Sequence, residues 1–319
     1  MKDTQTIQRP TFRADYKTSD KFDGGPRLVL GTSGLGGVWG GVTLDESKDA
    51  ILYALERGAR AFDTAPSYAS AQEVLGAALK EWTGEKPFIS TKVGRLKAES
   101  AHDMKLDYSS EGIRRTLESN LEILGVDRID LLFLHEPQCV EKSDIPRLLE
   151  QMQGFVSEGL VSRLGIGGNL TEDFKPFMGK GKFEVISGFL KMNACNLDAF
   201  ISDVSFIKEK GLAYYNASIL HFGLLANRLA AYKENFENEP WLTKRDIAIT
   251  EDLQPLAEQY RMSLPILAQR YAFGIQEADR IVGGAKNQSQ IERTLDAWEQ
   301  GPLSSSLFDT VTDVILNHY

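Results

Sequence analysis

The chain has 319 residues, 42% of them hydrophobic and 25% charged, with two cysteines and a formal net charge of −9. This apolar content rules out a disordered chain, and so little cysteine rules out a disulfide scaffold. The acidic balance argues against nucleic acid or an anionic membrane as the main partner, because both need clustered Lys and Arg to neutralise phosphates, so a small molecule is the expected ligand.

Residues 1–27 read as a polar leader. Beyond it, short runs rich in Val, Ile and Phe alternate with longer stretches of helical period, the pattern of a parallel sheet covered by helices. The predicted strands are Leu28–Gly31, Arg60–Thr64, Pro87–Val93, Arg128–His135, Val161–Gly167, Phe183–Leu190, Leu212–Ser218 and Arg280–Gly284. Between them, Thr43-Leu-Asp-Glu46 has the pattern of a capping box ahead of Ile51, Ala54 and Leu55. Ile113, Leu117, Leu121 and Leu124 recur at helical spacing, as do Phe200, Val204 and Ile207, and Ile291, Leu295 and Trp298. Gly58, Gly125, Gly159 and Gly211 stand where left-handed helix caps belong. Eight such units without a Pro- or Ser-rich linker predict one (β/α)8 TIM barrel spanning residues 1–319. The longest interval follows the seventh strand: a loop over 221–249 containing a polar insert, Ala226 to Arg245, with Trp241 inside it. Long loops of this kind lie on the active-site face of such barrels.

Reactive groups in a barrel project from the C-terminal ends of strands, which makes polar residues closing apolar runs informative. Asp63, Lys92 and His135 close the second, third and fourth runs, and Tyr68 follows Asp63 by five residues. Together they suit proton transfer to a carbonyl. A tyrosine titrates near about 10, and a neighbouring ammonium is expected to lower that value, with Asp63 holding Lys92 charged and His135 orienting the carbonyl oxygen. Taken singly, each has a plainer reading: Asp63 as a helix cap, Lys92 as a surface charge, His135 as a structural histidine. Their convergence at one rim favours function.

The glycine-rich stretches Gly31–Gly41 and Gly165–Leu170 match neither a dinucleotide fingerprint nor a phosphate loop, and read as letting a ligand approach backbone at the barrel mouth, with simple loop freedom the plainer alternative. Near the C-terminus, Ile281-Val-Gly-Gly284-Ala-Lys286-Asn287-Gln-Ser-Gln290 reads equally as a phosphate site at a helix start and as a helix capped by Asn287 beside an ordinary lysine. Trp39, Tyr68, Phe222 and Trp241 are candidate walls of a substrate pocket, since aromatic faces pack well against rings. Cys139 and Cys195 have no paired spacing, and His135 near Cys139 is too little for zinc, so neither a disulfide nor a metal is expected. The N-terminus lacks the apolar core of a signal peptide and no run approaches the ~20 apolar residues of a membrane span, which predicts a cytoplasmic protein.

Phe62-Asp63-Thr64-Ala65-Pro66-Ser67-Tyr68, Ser90-Thr91-Lys92-Val93-Gly94 and Asp130-Leu-Leu-Phe-Leu-His135 together resemble three segments of the aldo-keto reductases. The segment from Asp107 to Asp130 further resembles their sugar-oxidising branch, similar to L-fucose, D-threo-aldose and pyridoxal dehydrogenases. The resemblance implies a tetrad of Asp63, Tyr68, Lys92 and His135 with Tyr68 as general acid/base, a substrate site that includes His135, and a nicotinamide dinucleotide, NADP(H) ahead of NAD(H). It places cofactor contacts at Gly31, Asp63, Asn169, Gly223, Leu225, Gly284, Lys286, Asn287 and Gln290. The chain departs from the usual pattern where Gly167-Gly168 replace a Ser-Asn pair, with Asn169 one place later, and where Gln290 replaces a common Arg and Thr294 an Asn. No tyrosine stands at the usual nicotinamide-stacking position and no sixth-strand Gln is present. The expected activity is hydride transfer between nicotinamide and an aldose or related carbonyl/alcohol pair. Two rivals are a Schiff-base aldolase using Lys92 and a nicotinamide-binding regulatory subunit. The sequence leaves oligomeric state open.

Overall fold

The computed structural model describes residues 7–100 and 103–319. The strands are β1 (Leu28–Gly31), β2 (Ala61–Asp63), β3 (Phe88–Val93), β4 (Leu131–His135), β5 (Leu164–Gly167), β6 (Val185–Phe189), β7 (Ala213–Ala217) and β8 (Arg280–Gly284). They pair in parallel, each with the next, and β1 with β8 closes the barrel. All eight predicted runs contain strands: the first and eighth match to the residue and the other six are trimmed at their ends. The helices around them are α1 (Leu44–Glu56), α2 (Ala71–Glu81), α3 (Ser110–Leu124), α4 (Ile145–Ser157), α5 (Ala199–Ser202), α6 (Val204–Lys210), α7 (Leu229–Glu234), α8 (Lys244–Gln259), α9 (Leu264–Phe273), α10 (Gln288–Gln300) and α11 (Ser305–Leu316). After β5 only a 3-10 helix forms, Glu172–Phe177, with Pro176 inside it; proline removes a backbone donor and interrupts an α-helical ladder.

The period-2 alternation of each strand divides its side chains between the barrel interior and the helical layer. Val29, Ala61, Leu131, Phe133, Val185, Ala213, Tyr215 and Val282 form the interior cluster, while Leu28, Leu30, Phe62, Ile89, Leu132, Leu134, Ile166 and Ile186 join the larger core beneath the helices. Glycine on β5 follows from the same packing. A Cβ on Gly165 would lie 2.7 Å from the Phe133 ring, so that position must stay empty for Phe133 to fill the barrel.

The expected leader is in fact structural over its described part; its residues 1–6 lie outside the described residues. Phe12 bridges Ile275, and Thr18 bridges Pro26. This brings Phe22 under the N-terminal end of the barrel, where its ring packs against Phe88 and Tyr215 at 5.9 and 5.5 Å. The Arg280 guanidinium lies 4.2 Å from the Phe22 ring centre and 3.9 Å from that of Phe88. Arg27, fully buried, donates to the carbonyls of Phe273, Ile275 and Ala278.

Two further details differ from the sequence reading. At Thr43 the hydroxyl accepts from Glu46 N at 3.3 Å, but the Glu46 carboxylate returns to the Thr43 hydroxyl instead of its backbone, so the capping box is half made. A complete box forms at Thr243 and Asp246, which open α8. The insert 226–245 is also more ordered than a loop, since it contains α7. That helix is six residues long and is held by tertiary contacts, with Tyr232 donating to the Phe222 carbonyl at 2.8 Å and packing edge-on against Trp241. Gly125 and Gly211 cap α3 and α6 with φ of 65° and 66°, as predicted.

Candidate active site

Asp63, Lys92 and His135 are the last inward positions on β2, β3 and β4. Their alternation follows from Ala61, Phe88 with Ser90, and Leu131 with Phe133, each one or two pleats below. Lys92 Nζ donates to Asp63 Oδ2 at 2.7 Å and to the Thr64 carbonyl at 2.9 Å, and Ser90 Oγ donates to the other Asp63 oxygen at 2.7 Å. Both partners of this pair are less than a tenth exposed. Lys92 Nζ stands 4.8 Å from the centre of the half-buried Tyr68 ring, and the Tyr68 and His135 rings meet edge to face at 6.2 Å. Gly167 stands beside His135 on β5, where a Cβ would lie 3.1 Å from Phe133 Cβ and in ordinary contact with Lys92 and His135 at 3.5 Å.

Burial and charge set the protonation states. Burial works against the Lys92 charge, but Asp63 and then Tyr68 outweigh it and raise its pKa, so Lys92 is an ammonium. That is the wrong form for a Schiff-base nucleophile, and the aldolase reading loses its footing. Burial, reinforced by the Lys92 and Arg95 charges, holds His135 well below 6.5, so the imidazole is neutral. The expected lowering of Tyr68 is corrected in sign. Lys92 does pull the phenol down, yet burial is the larger effect and leaves it above its ordinary value.

The other predicted residues fall into separate groups. Gly31 and Gly284 are paired at the barrel mouth, where a Cβ on Gly284 would meet nothing within 4 Å. Asn169 is half-buried and its Oδ1 accepts from Phe189 N, which leaves its amide nitrogen for a ligand. Gly223 sits in the turn after β7 with φ of 90°, whereas the Leu225 side chain is wholly buried in the core and offers only its backbone. Asn287 caps α10 through Gln290 N at 3.0 Å, and Gln290 Oε1 accepts from Lys286 N at 2.9 Å. The exposed Lys286 makes no ion pair among the described residues. The open face at Gly284 and the exposed Lys286 ammonium just before α10 fit an extended nucleotide with a terminal phosphate. Trp39, Phe222 and Trp241 form one aromatic cluster, with ring centres 5.8 and 5.1 Å apart in sequence.

Sequence reasoning missed a buried polar brace behind that cluster. His221 Nδ1 meets Asn193 Nδ2 at 3.0 Å, and Asn193 Oδ1 accepts from Cys195 N, which fixes the amide orientation. His221 Nδ1 is therefore the acceptor and Nε2 carries the proton, directed toward Asp246 Oδ2 at 3.7 Å. Cys195, His221 and Asp246 lie close enough to share a metal ion, but with Nδ1 accepting from Asn193 the protonated Nε2 has no lone pair for one. Glu136 was missed as well. It directly follows His135, adopts φ 54° and ψ 61°, and is held by Arg95 at 2.7 Å and Gln138 at 2.7 Å. A non-glycine residue in this region costs about 1–2 kcal/mol. No periodicity signals such a residue.

Among the described residues no helix is long and apolar enough to cross a membrane. The chain matches the Aldo/keto reductase family over residues 27–315. D-arabinose 1-dehydrogenase of Saccharomyces cerevisiae is 26% identical over 79% of this chain and 76% of its own length. Pyridoxal 4-dehydrogenase of Microbacterium luteolum is 27% identical over 86% of this chain and 89% of its own. Glycerol dehydrogenase from Gluconobacter oxydans superposes with a TM-score of 0.75 at 24% identity, covering 97% of this chain and 96% of that one, a likeness of fold. The closed barrel, the polar cluster at its C-terminal rim and the family match agree: this chain belongs to the aldo/keto reductase family and is an NAD(P)-dependent oxidoreductase.

Proposed function

We propose that the enzyme interconverts an aldose or related hydroxylated carbonyl compound and its oxidised or reduced partner, with Tyr68 as the proton donor and acceptor. The observation that carries this reading is the convergence of Asp63, Lys92 and His135 on Tyr68 at the rim formed by β2, β3 and β4. A bound nicotinamide dinucleotide supplies or accepts the hydride at the substrate carbon. In reduction, the Tyr68 hydroxyl gives its proton to the carbonyl oxygen; in oxidation, its oxygen takes that proton back. Lys92, kept charged by Asp63, stabilises the phenolate that forms in between, and the neutral His135 orients the oxygen. The names of the relatives, which include L-galactose dehydrogenase of Arabidopsis thaliana, support a sugar-like substrate. The unpaired Lys286 at the start of α10 supports NADP(H) over NAD(H), and the trio Trp39, Phe222 and Trp241 forms the pocket wall. Unpaired Cys139 and Cys195 fit a cytoplasmic setting.

Fluorescence titration with NADPH and NADH, paired with turnover by Tyr68→Phe, tests the reading. NADPH is expected to bind more tightly, and the variant to lose about 10²–10⁴-fold in turnover with nucleotide affinity intact. Comparable turnover by the variant overturns the role of Tyr68, and tighter binding of NADH overturns that of Lys286.

A further inference from the structure

Glu136 combines three properties that a merely structural acid does not need together. Its backbone is left-handed, its carboxylate is nearly buried, and it stands at the reacting groups, 3.8 Å from His135 Nε2 and as little exposed as that imidazole, at 11% against 9%. Its charge is also felt by the Tyr68 phenol. The turn that presents it is pinned from outside by the Tyr108 hydroxyl, which lies 2.8 Å from the His135 carbonyl oxygen and 3.1 Å from that of Glu136. Arg95 grips Oε1 and Gln138 grips Oε2, so the carboxylate cannot rotate, yet each oxygen has a lone pair left over. Fixed, nearly buried and beside the groups that handle the carbonyl oxygen, it is a preorganised acceptor.

The geometry points to Glu136 as a specificity-determining carboxylate that accepts hydrogen bonds from hydroxyls next to the reacting carbonyl and repels substrates carrying an anionic group there. This rests on the placement of the reacting carbonyl between Tyr68 and His135 proposed above. Hydrogen bonds to a charged acceptor are the strong ones, and a carboxylate held near another carboxylate is strongly disfavoured. Substrates are thereby sorted into neutral hydroxycarbonyls, which are taken, and 2-oxo acids, which are refused.

Three reductions separate these effects: D-glyceraldehyde has a hydroxyl beside its aldehyde, 4-nitrobenzaldehyde has none, and glyoxylate has a carboxylate. In Glu136→Gln, kcat/KM for glyceraldehyde relative to nitrobenzaldehyde is expected to fall about tenfold, mainly through KM. Relative kcat/KM for glyoxylate is expected to rise, a gain that loosening of the turn alone does not produce. Equal losses on all three aldehydes, or no relative gain on glyoxylate, overturn the proposal. A Tyr68→Phe control that still reduces nitrobenzaldehyde at the wild-type rate overturns instead the site on which it rests.

Discussion

Burial acts on Tyr68 and His135 in opposite directions, because one ionises to an anion and the other to a cation. It raises the phenol above its ordinary value and depresses the imidazole far below 6.5. Across neutral pH both are uncharged, Tyr68 holding the proton that reduction needs. Reduction is therefore expected to show a flat kcat/KM from about pH 6 to 9, since neither group titrates there. Oxidation needs the phenolate as acceptor, so its kcat/KM is expected to climb with pH, about tenfold per unit at first, as more of the enzyme loses that proton. Profiles of both directions check this, and a bend in reduction near pH 6.5 would mean that His135 does titrate. At this scale the sequence was informative where chemistry interrupts hydrophobicity. Asp63, Lys92 and His135 stood out because charged or titratable residues rarely close strands, and the structure brings them together. The phenol's net shift was not legible, because the sequence shows the neighbouring charge but not the loss of water around it. Glu136 and His221 were not legible either, since their roles depend on φ angles and on partners distant in the chain.

The strands place these side chains, and β5 shows how an element works through what it lacks. Gly165 and Gly167 pair with Phe133 and His135 on the neighbouring strand β4, and the space that their missing side chains leave is taken up chiefly by Phe133. In Gly165→Ala the new methyl would lie 2.7 Å from the Phe133 ring and 2.8 Å from the Val185 carbonyl oxygen. The backbone oxygen cannot yield, so the ring must turn, and Phe133 lies one pleat below His135. Overpacking of this kind costs typically about 1–3 kcal/mol. We expect the substitution to lower the unfolding free energy from urea titration by that measure and also to reduce kcat, whereas Gly159→Ala, at a surface cap with nothing within 4 Å, is expected to lose stability through its positive φ alone and keep kcat. Equal kcat for Gly165→Ala and the parent would show that the barrel interior does not transmit packing to the rim. The sequence had assigned these glycines to loop freedom or close ligand approach. The strands themselves were legible because short apolar runs, three to six residues long in the fold, alternate with longer stretches of helical period. The elements of the segment after β7, the lid over 221–249, were not, since α7 is too short to form without Trp241 and Phe222 against it.

At the scale of the whole molecule, the barrel is sealed below by Phe22 and Arg280 and topped on one side by the lid, and the lid hangs on His221. Burial pushes this imidazole down to about 4; Asp246 opposes that shift and Arg245 adds to it. The folded state thus refuses a proton that the unfolded chain takes near 6.5, and His135 behaves alike. Between these values the unfolded chain binds more protons, so stability rises with pH and is lost as pH falls from about 6.5 toward 4. Asp279 works the other way: burial lifts its pKa to about 6, so the folded state holds a proton that the unfolded chain releases near 3.8, and acidification through that window is favourable for this one group. Asp130 and Asp203, also raised by burial, act like Asp279, whereas Asp107, held down by Ser109, and Asp198, held down by Arg245 against its burial, side with the two histidines, so that four groups against three leave a net loss on acidification. We expect unfolding free energies from urea titrations at pH 7, 6, 5 and 4.5 to decline steadily, and the decline to be shallower in His221→Gln, whose amide fills similar space without titrating. The variant should also be less stable at pH 7, where the parent imidazole is already neutral and well packed, so the two curves converge toward acid. Parallel curves would place the acid sensitivity elsewhere and free His221 from any part in holding the lid to the barrel below pH 6.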